Sequence, residues 1–124
     1  MSKKVVIIGG VAGGASVAAR VRRLDEGADI TMFERGEHVS FSNCALPFFL
    51  SRTVGDSEQL VLMSPSKFLK QYNIKAKTKH EVLKINPEQK TVLVKDLDSG
   101  KEFGESYDVL VLSPGARPVL PRSI

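Results

Sequence analysis

The opening of the chain constrains the fold more than any other stretch. Val5-Val6-Ile7-Ile8 is a continuous apolar run closed by Gly9-Gly10. A run of that length bounded by glycine reads as a strand buried on both faces of a parallel sheet. Small and apolar residues then recur at helical spacing from Ala15 to Glu26, with Val17, Val21 and Leu24 on one side. Ser16, Arg20 and Arg23 fall on a separate stripe roughly a quarter turn away. Gly27 is the expected stop, and Ile30 to Glu34 is a second strand that ends in an acid. Strand, glycine turn, helix and strand make a βαβ unit.

Downstream, residues 36–63 lack periodicity, apart from a short helix expected around Ala45 to Ser51. Ser64 and Pro65 have the residue types of a helix cap and first turn. That helix carries Phe68, Leu69 and Tyr72, stops near Asn73, and leads to a third parallel strand at Ile74–Lys77. The pattern then changes to alternation. Val82 and Ile85, Thr91 to Leu97, and Glu102 to Tyr107 read as three antiparallel strands, with turns at Asn86-Pro87 and Asp98-Ser99-Gly100. Asp108 to Leu112 returns to a buried parallel strand, and Pro114, Pro118 and Pro121 follow. The expected fold class is α/β, a Rossmann-like parallel sheet with an inserted three-stranded β-meander. Its expected limits are a core over 1–78 and 108–117, a meander over 79–107 and an exit linker over 118–124.

Composition excludes several classes. With 124 residues, 42% of them hydrophobic, the chain can bury a core. No apolar run approaches the length of a membrane span, and the short run before Gly9-Gly10 does not suit a secretory signal. A single cysteine builds neither a disulfide framework nor a zinc site, so no metal is expected and a reducing, cytoplasmic compartment is. The net charge of +4 is compatible with nucleic acid, a membrane surface or an anionic small molecule. The basic residues are dispersed and do not interleave with aromatics, which argues against nucleic acid. Arg20, Arg22 and Arg23 follow the glycine turn and suit a polyphosphate ligand, while the lysines beyond residue 75 read as solvated surface.

The turn itself suggests chemistry. Glycines before a helix N-terminus let the backbone approach a pyrophosphate, and free N–H groups and the helix dipole favour its charge. In the pattern G-x-G-x-x-G, Gly9 and Gly14 hold the first and third places and Val11 the second. Glu34 lies twenty residues past Gly14, where an acid suits a ribose hydroxyl pair and opposes a 2′-phosphate. Cys44 follows ten residues later among small polar neighbours and just before Pro47. Two readings stay open for it: an inert small hydrophobe, or a thiol made reactive at a helix N-terminus. No C-x-x-C partner exists, so a redox role needs an external sulfur or a sulfenic acid.

Three segments together resemble a known family. They are Val5 to Gly14, Ser40-Phe41-x-Asn43-Cys44-Ala45-Leu46-Pro47, and Tyr107-Asp108-x-Leu110-x-Leu112-Ser113-Pro114-Gly115-Ala116. The sequence resembles the coenzyme A-disulfide reductases, in the single-cysteine branch of the FAD-dependent pyridine nucleotide-disulfide oxidoreductases. That resemblance implies roles. Gly9, Gly10, Val11, Ala12, Gly13 and Gly14 would hold the FAD pyrophosphate, and Glu34, with Arg35 beside it, the adenosine ribose. Val82 would meet the adenine, Ser113 and Gly115 would close over the cofactor, and Cys44 would face the flavin as the redox sulfur, with Asn43 beside it. Ser16, Arg20, Arg23, Ser40 and Asn43 match positions that hold coenzyme A. A lysine that some reductases use near the end of the second helix corresponds to Tyr72, for which Lys70 or Lys67 could substitute.

The same resemblance implies an NAD(P)H-dependent reduction of coenzyme A disulfide or persulfide through a Cys44–coenzyme A mixed disulfide, in a homodimeric parent. Family members are several times longer, so the chain is expected to be an N-terminal piece unable to turn over alone. The alternatives are an NADH oxidase or peroxidase that cycles Cys44 through sulfenic acid, and a non-catalytic nucleotide-binding module.

Overall fold

The computed structural model describes residues 3–116 and 119–122, with the backbone alone for Asn43. The exit linker expected over 118–124 therefore lies partly outside the described residues. Four parallel strands, β1 (Lys4–Ile8), β2 (Asp29–Phe33), β3 (Ile74–Lys77) and β7 (Val109–Leu112), form a sheet in the order β3-β2-β1-β7. Three antiparallel strands, β4 (His80–Asn86), β5 (Thr91–Asp96) and β6 (Glu102–Ser106), form a meander between β3 and β7 in the chain. The α/β architecture with an inserted meander is thus the one expected.

Alternation along β1 explains the layering. Val5 and Ile7 pack with Ile30, Met32, Ile74, Ala18 and Phe68 on the helical face. Val6 points the other way and joins Phe33 from β2 with Val92 and Val94 from β5. Helices therefore cover one face of the sheet and the meander covers the other, which is why β1 has no polar residue between Val5 and Ile8.

Helix α1 spans Ala12–Leu24, beginning three residues before the expected start and ending before Glu26. Asp25, not Gly27, caps it, and the Asp25 carboxylate accepts from Gly27 N at 3.0 Å. Its inward stripe also differs from the expectation. Gly14, Ala18 and Arg22 are the buried residues, spaced four apart and flanked by the half-buried Val17 and Val21. Leu24 is 71% exposed. Arg22 is therefore no phosphate ligand. Its guanidinium donates to the carbonyls of Asp25 and Glu26 at the end of α1 and of Tyr72 and Asn73 at the end of α3 (Pro65–Tyr72), at 2.7–3.2 Å. One buried cation thus satisfies carbonyls at two helix C-termini.

Helix α3 matches its cues: Ser64 Oγ accepts from Lys67 N at 3.2 Å, and Asn73 ends it in the left-handed conformation. Between β2 and α3 the chain is mostly irregular. It holds 3-10 turns at Asn43–Ala45 and Ser57–Leu60 and, between them, helix α2 (Leu46–Leu50), none of whose residues is buried. A backbone bridge between Phe41 and Val61 pins this segment together.

Candidate functional site

The order β3-β2-β1-β7 places a reversal between β1 and β7. From β1 the chain passes through α1 to β2 on one side, while β7 pairs on the other. Ligands of open α/β sheets bind beyond the strand ends at such a point. There Gly9 follows β1 with φ +96°, and Ser113 follows β7. A Cβ on Gly9 would overlap the Ser113 carbonyl, and one on Gly14 would overlap the Gly9 carbonyl. Both glycines are thus required for the strands and α1 to approach so closely. The N-cap of α1 is Val11, which offers no side-chain acceptor, so the first-turn N–H groups remain available to a ligand.

Two cavities border this turn. The first, about 270 Å³, is lined by Gly9, Glu34, Arg35, His80, Val82 and Gly115 among others. Glu34 is held firmly in it. Its Oε1 accepts from Gly10 N at 3.0 Å and its Oε2 from Gly36 N at 2.7 Å. The Gly10 N–H is thereby turned toward Glu34. A carboxylate has further lone pairs, so Glu34 can still accept from a pair of hydroxyls. Arg35 reaches Glu81 at 3.9 Å, across the mouth between the two sheets. In β4 the pairing register shifts between Val82 and Lys84, a bulge that follows Val82 at the cavity wall.

The second cavity, about 320 Å³, joins Val11, Ala12, Ala15 and Ser16 of the turn and α1 to Ser40, Phe41, Ser42, Cys44 and Leu62. Cys44 is a free, exposed thiol in the 3-10 turn, one residue before the N-cap Ala45 of the five-residue α2. Ser40 is placed by two backbone bonds, its N–H to the Gly10 carbonyl at 2.6 Å and its carbonyl from Leu62 N at 3.0 Å. Arg20 and Arg23 are exposed on α1 and do not line this cavity. Among the described residues neither forms an ion pair. Ser113 is half-buried below the turn, with its N–H on the Ile8 carbonyl at 2.8 Å.

The structure therefore splits the expected site residues into two groups. Glu34, Arg35, Val82 and Gly115 meet in one cavity; Ser16, Ser40 and Cys44 meet in the other. Local patterns had not singled out Phe33, His80, Phe41 or Leu62, which complete the walls. Among the described residues no group of acids, histidines and cysteine has metal-site geometry, and no helix is long and apolar enough to cross a membrane.

Residues 3–124 match the family model described as pyridine nucleotide-disulphide oxidoreductase. The chain belongs to that family. Among its relatives is the coenzyme A disulfide reductase of Staphylococcus aureus, 46% identical over 113 residues, which cover 91% of this chain and 26% of that protein. The reduced CoADR-RHD of Bacillus anthracis superposes with a TM-score of 0.94 at 45% identity, over 98% of this chain and 22% of that one. An NAD-dependent persulfide reductase from A. fulgidus gives a TM-score of 0.91 at 37% identity, over 96% and 22% of the two chains. The chain thus spans about a quarter of the length of the curated relatives it matches. It corresponds to the Rossmann-like part of the family that precedes the remainder of those proteins.

Proposed function

We propose that this chain is the cofactor-holding N-terminal part of an FAD-dependent, NAD(P)H-driven reductase of coenzyme A disulfide or a related persulfide, with Cys44 as its redox thiol. The observation that carries this reading is the pair of cavities at one glycine turn, one with an acid suited to a ribose and the other with a free thiol. The residues present suit a dinucleotide. Glycines at 9 and 14 leave no space for a Cβ, α1 lacks a side-chain cap, and Glu34 keeps free lone pairs. The first-turn N–H groups of α1 would hold the pyrophosphate, Glu34 the ribose, and Val82 with Gly115 the adenine end. Bound there, the flavin would supply two-electron redox chemistry that a thiol alone lacks.

The chain's own part in the reaction is thiol exchange. The Cys44 thiolate attacks one sulfur of a coenzyme A disulfide; a Cys44–S bond to that sulfur forms as the substrate S–S bond breaks, and the other half leaves as a thiolate. Two electrons originating in NAD(P)H, with a proton, then release the second thiol and restore Cys44. Ser16 and Ser40 line the approach. Arg20 and Arg23, exposed one and two turns further along α1, would meet phosphates of a long substrate outside the cavity.

The test uses the full-length protein. Replacing Arg20 and Arg23 by alanine should raise KM for coenzyme A disulfide about tenfold, the loss of one or two exposed phosphate contacts, and leave NADH oxidase turnover unchanged. Equal loss of both activities would contradict the assignment. Mass spectrometry of the purified protein should show a coenzyme A adduct on Cys44 that reductant removes. A sulfenic acid in its place would support the oxidase alternative. The 124-residue chain alone should not reduce disulfides with NAD(P)H.

A further inference from the structure

One wall of the Glu34 cleft contains an imidazole that the thiol chemistry does not use. His80 opens β4, pairs across to Asp96 on β5, and lines the cleft beside Phe33 and Glu34. Its ring completes a triangle. The His80 centroid lies 6.1 Å from Phe33 and 6.1 Å from Phe103, and those two rings are 6.2 Å apart. The interplanar angles of 35°, 70° and 57° are tilted or edge-on, as aromatic quadrupoles favour. Lys77 Nζ sits 5.9 Å over Phe33 and 5.6 Å over Phe103.

Phe33 belongs to the parallel sheet and Phe103 to the meander. His80 is therefore wedged where the two layers meet. Two hydrogen bonds fix it there. Its backbone N–H donates to the Glu34 carbonyl at 3.0 Å, and its Nδ1 lies 2.7 Å from the Thr78 carbonyl. A carbonyl only accepts, so Nδ1 carries a proton and donates it, which sets the orientation of the ring. The acid that faces the sugar and the aromatic wall next to it are thus one connected unit.

We propose that His80 is the specificity-determining residue for the base end of this cleft, holding the meander at the distance from Glu34 that admits a purine and presenting a flat wall to it. This rests on reading the cleft as a nucleotide site. A base carried by a ribose at Glu34 must extend toward the β4 wall, because the glycine turn occupies the other side. A fixed aromatic wall rewards the larger flat surface of a purine over a pyrimidine. Loosening the wall removes that preference without disturbing the glycine turn.

The experiment is calorimetric titration of the 124-residue chain with ADP and with CDP. The wild type should bind ADP about tenfold more tightly than CDP, roughly the worth of one aromatic contact. In His80→Ala the ADP affinity should fall about tenfold, with CDP little changed, so that the ratio collapses toward one. His80→Phe keeps the ring triangle and should keep the ratio. It also decides the matter should thermal unfolding show that His80→Ala fails to fold. Retention of the ratio in His80→Ala, or equal weakening of both nucleotides, would overturn the proposal, as would loss of the ratio in a folded His80→Phe. If the wild type binds neither nucleotide, the nucleotide reading itself falls and takes this inference with it; the other failures leave that reading intact.

Discussion

The two cavities at the glycine turn are made in different ways. The Glu34 cleft is built mainly from strand ends and the start of β4, and its acid is held by two backbone N–H groups. The Cys44 cavity takes one wall from α1 and the other from the irregular segment around Ser40 and Leu62, beside a helix that buries none of its residues. Regular elements pay for their own order through sheet pairing and a shared core, whereas a loop wall depends on a few backbone bonds. The walls of the Glu34 cleft are therefore ordered by regular elements of this chain. At the thiol end, Leu46, Phe48 and Leu50 are exposed along α2, directly after Cys44.

The largest effects should come from breaking the turn that both cavities share. Gly14→Ala places a methyl group on the Gly9 carbonyl, which is backbone and cannot swing aside. Overpacking of this kind costs about 1–3 kcal/mol, and here α1 must also shift from β1, so nucleotide binding should be lost. Gly55 has open space around it and no positive φ, so Gly55→Ala should stabilise the chain by about 0.4–1 kcal/mol through the unfolded state. Thermal unfolding and ADP titration of the two variants check this. A Gly14→Ala protein that still binds ADP would mean that the close approach is not what makes the site.

Next is Arg22→Ala, which strips the partner from carbonyls at the ends of α1 and α3. Buried charged hydrogen bonds of this kind are worth about 3 kcal/mol together when lost. The expected outcome is a lower unfolding temperature with a smaller change at the cavities, since Arg22 lies at the far end of α1 from the turn. Cys44→Ser separates the two ends more cleanly. It should lower disulfide turnover of the full-length protein at least about a hundredfold and leave FAD content and stability unchanged, because the thiol is exposed. Loss of FAD from that variant would show that the two cavities are not independent.

How much of this could be read from the residues follows the same division. The βαβ unit was legible because Val5 to Ile8, the glycines and Glu34 carry their information locally. Capping at Ser64 was legible for the same reason. The face of α1 was not. Its register depends on Arg22 finding carbonyls about fifty residues away, and an arginine in a helical stripe looks like solvent surface until those partners are known. The convergence of Ser16, Ser40 and Cys44 was expected from resemblance alone, since it arises through the Phe41–Val61 bridge and the Leu62 to Ser40 bond. Nothing in local hydropathy encodes such contacts. His80 was missed because it stands at the start of an alternating strand, where its neighbour Phe103 comes from the third strand of the meander.

The smallest expected effect tests how far the built end extends. Asp96 faces His80 across β4 and β5. Its carboxyl is held below its ordinary value of 3.8, first by the backbone N–H of Asp98, with Ser99 and the charge of His80 adding to this and partial desolvation opposing it. A depressed folded value means that the unfolded chain takes up the proton first as pH falls. The contribution to stability is therefore complete above the ordinary carboxylate range and is lost below about pH 4, as the folded value is approached. Acid unfolding of Asp96→Asn should lack that component of the slope, and the change should be slight because the group is on the surface. ADP affinity at neutral pH should stay within about twofold of wild type, the scale of a screened surface charge. A larger loss would mean that the turn between β5 and β6 also sets the cleft through His80, and the rigid unit around Glu34 would then include the whole meander rather than its first strand.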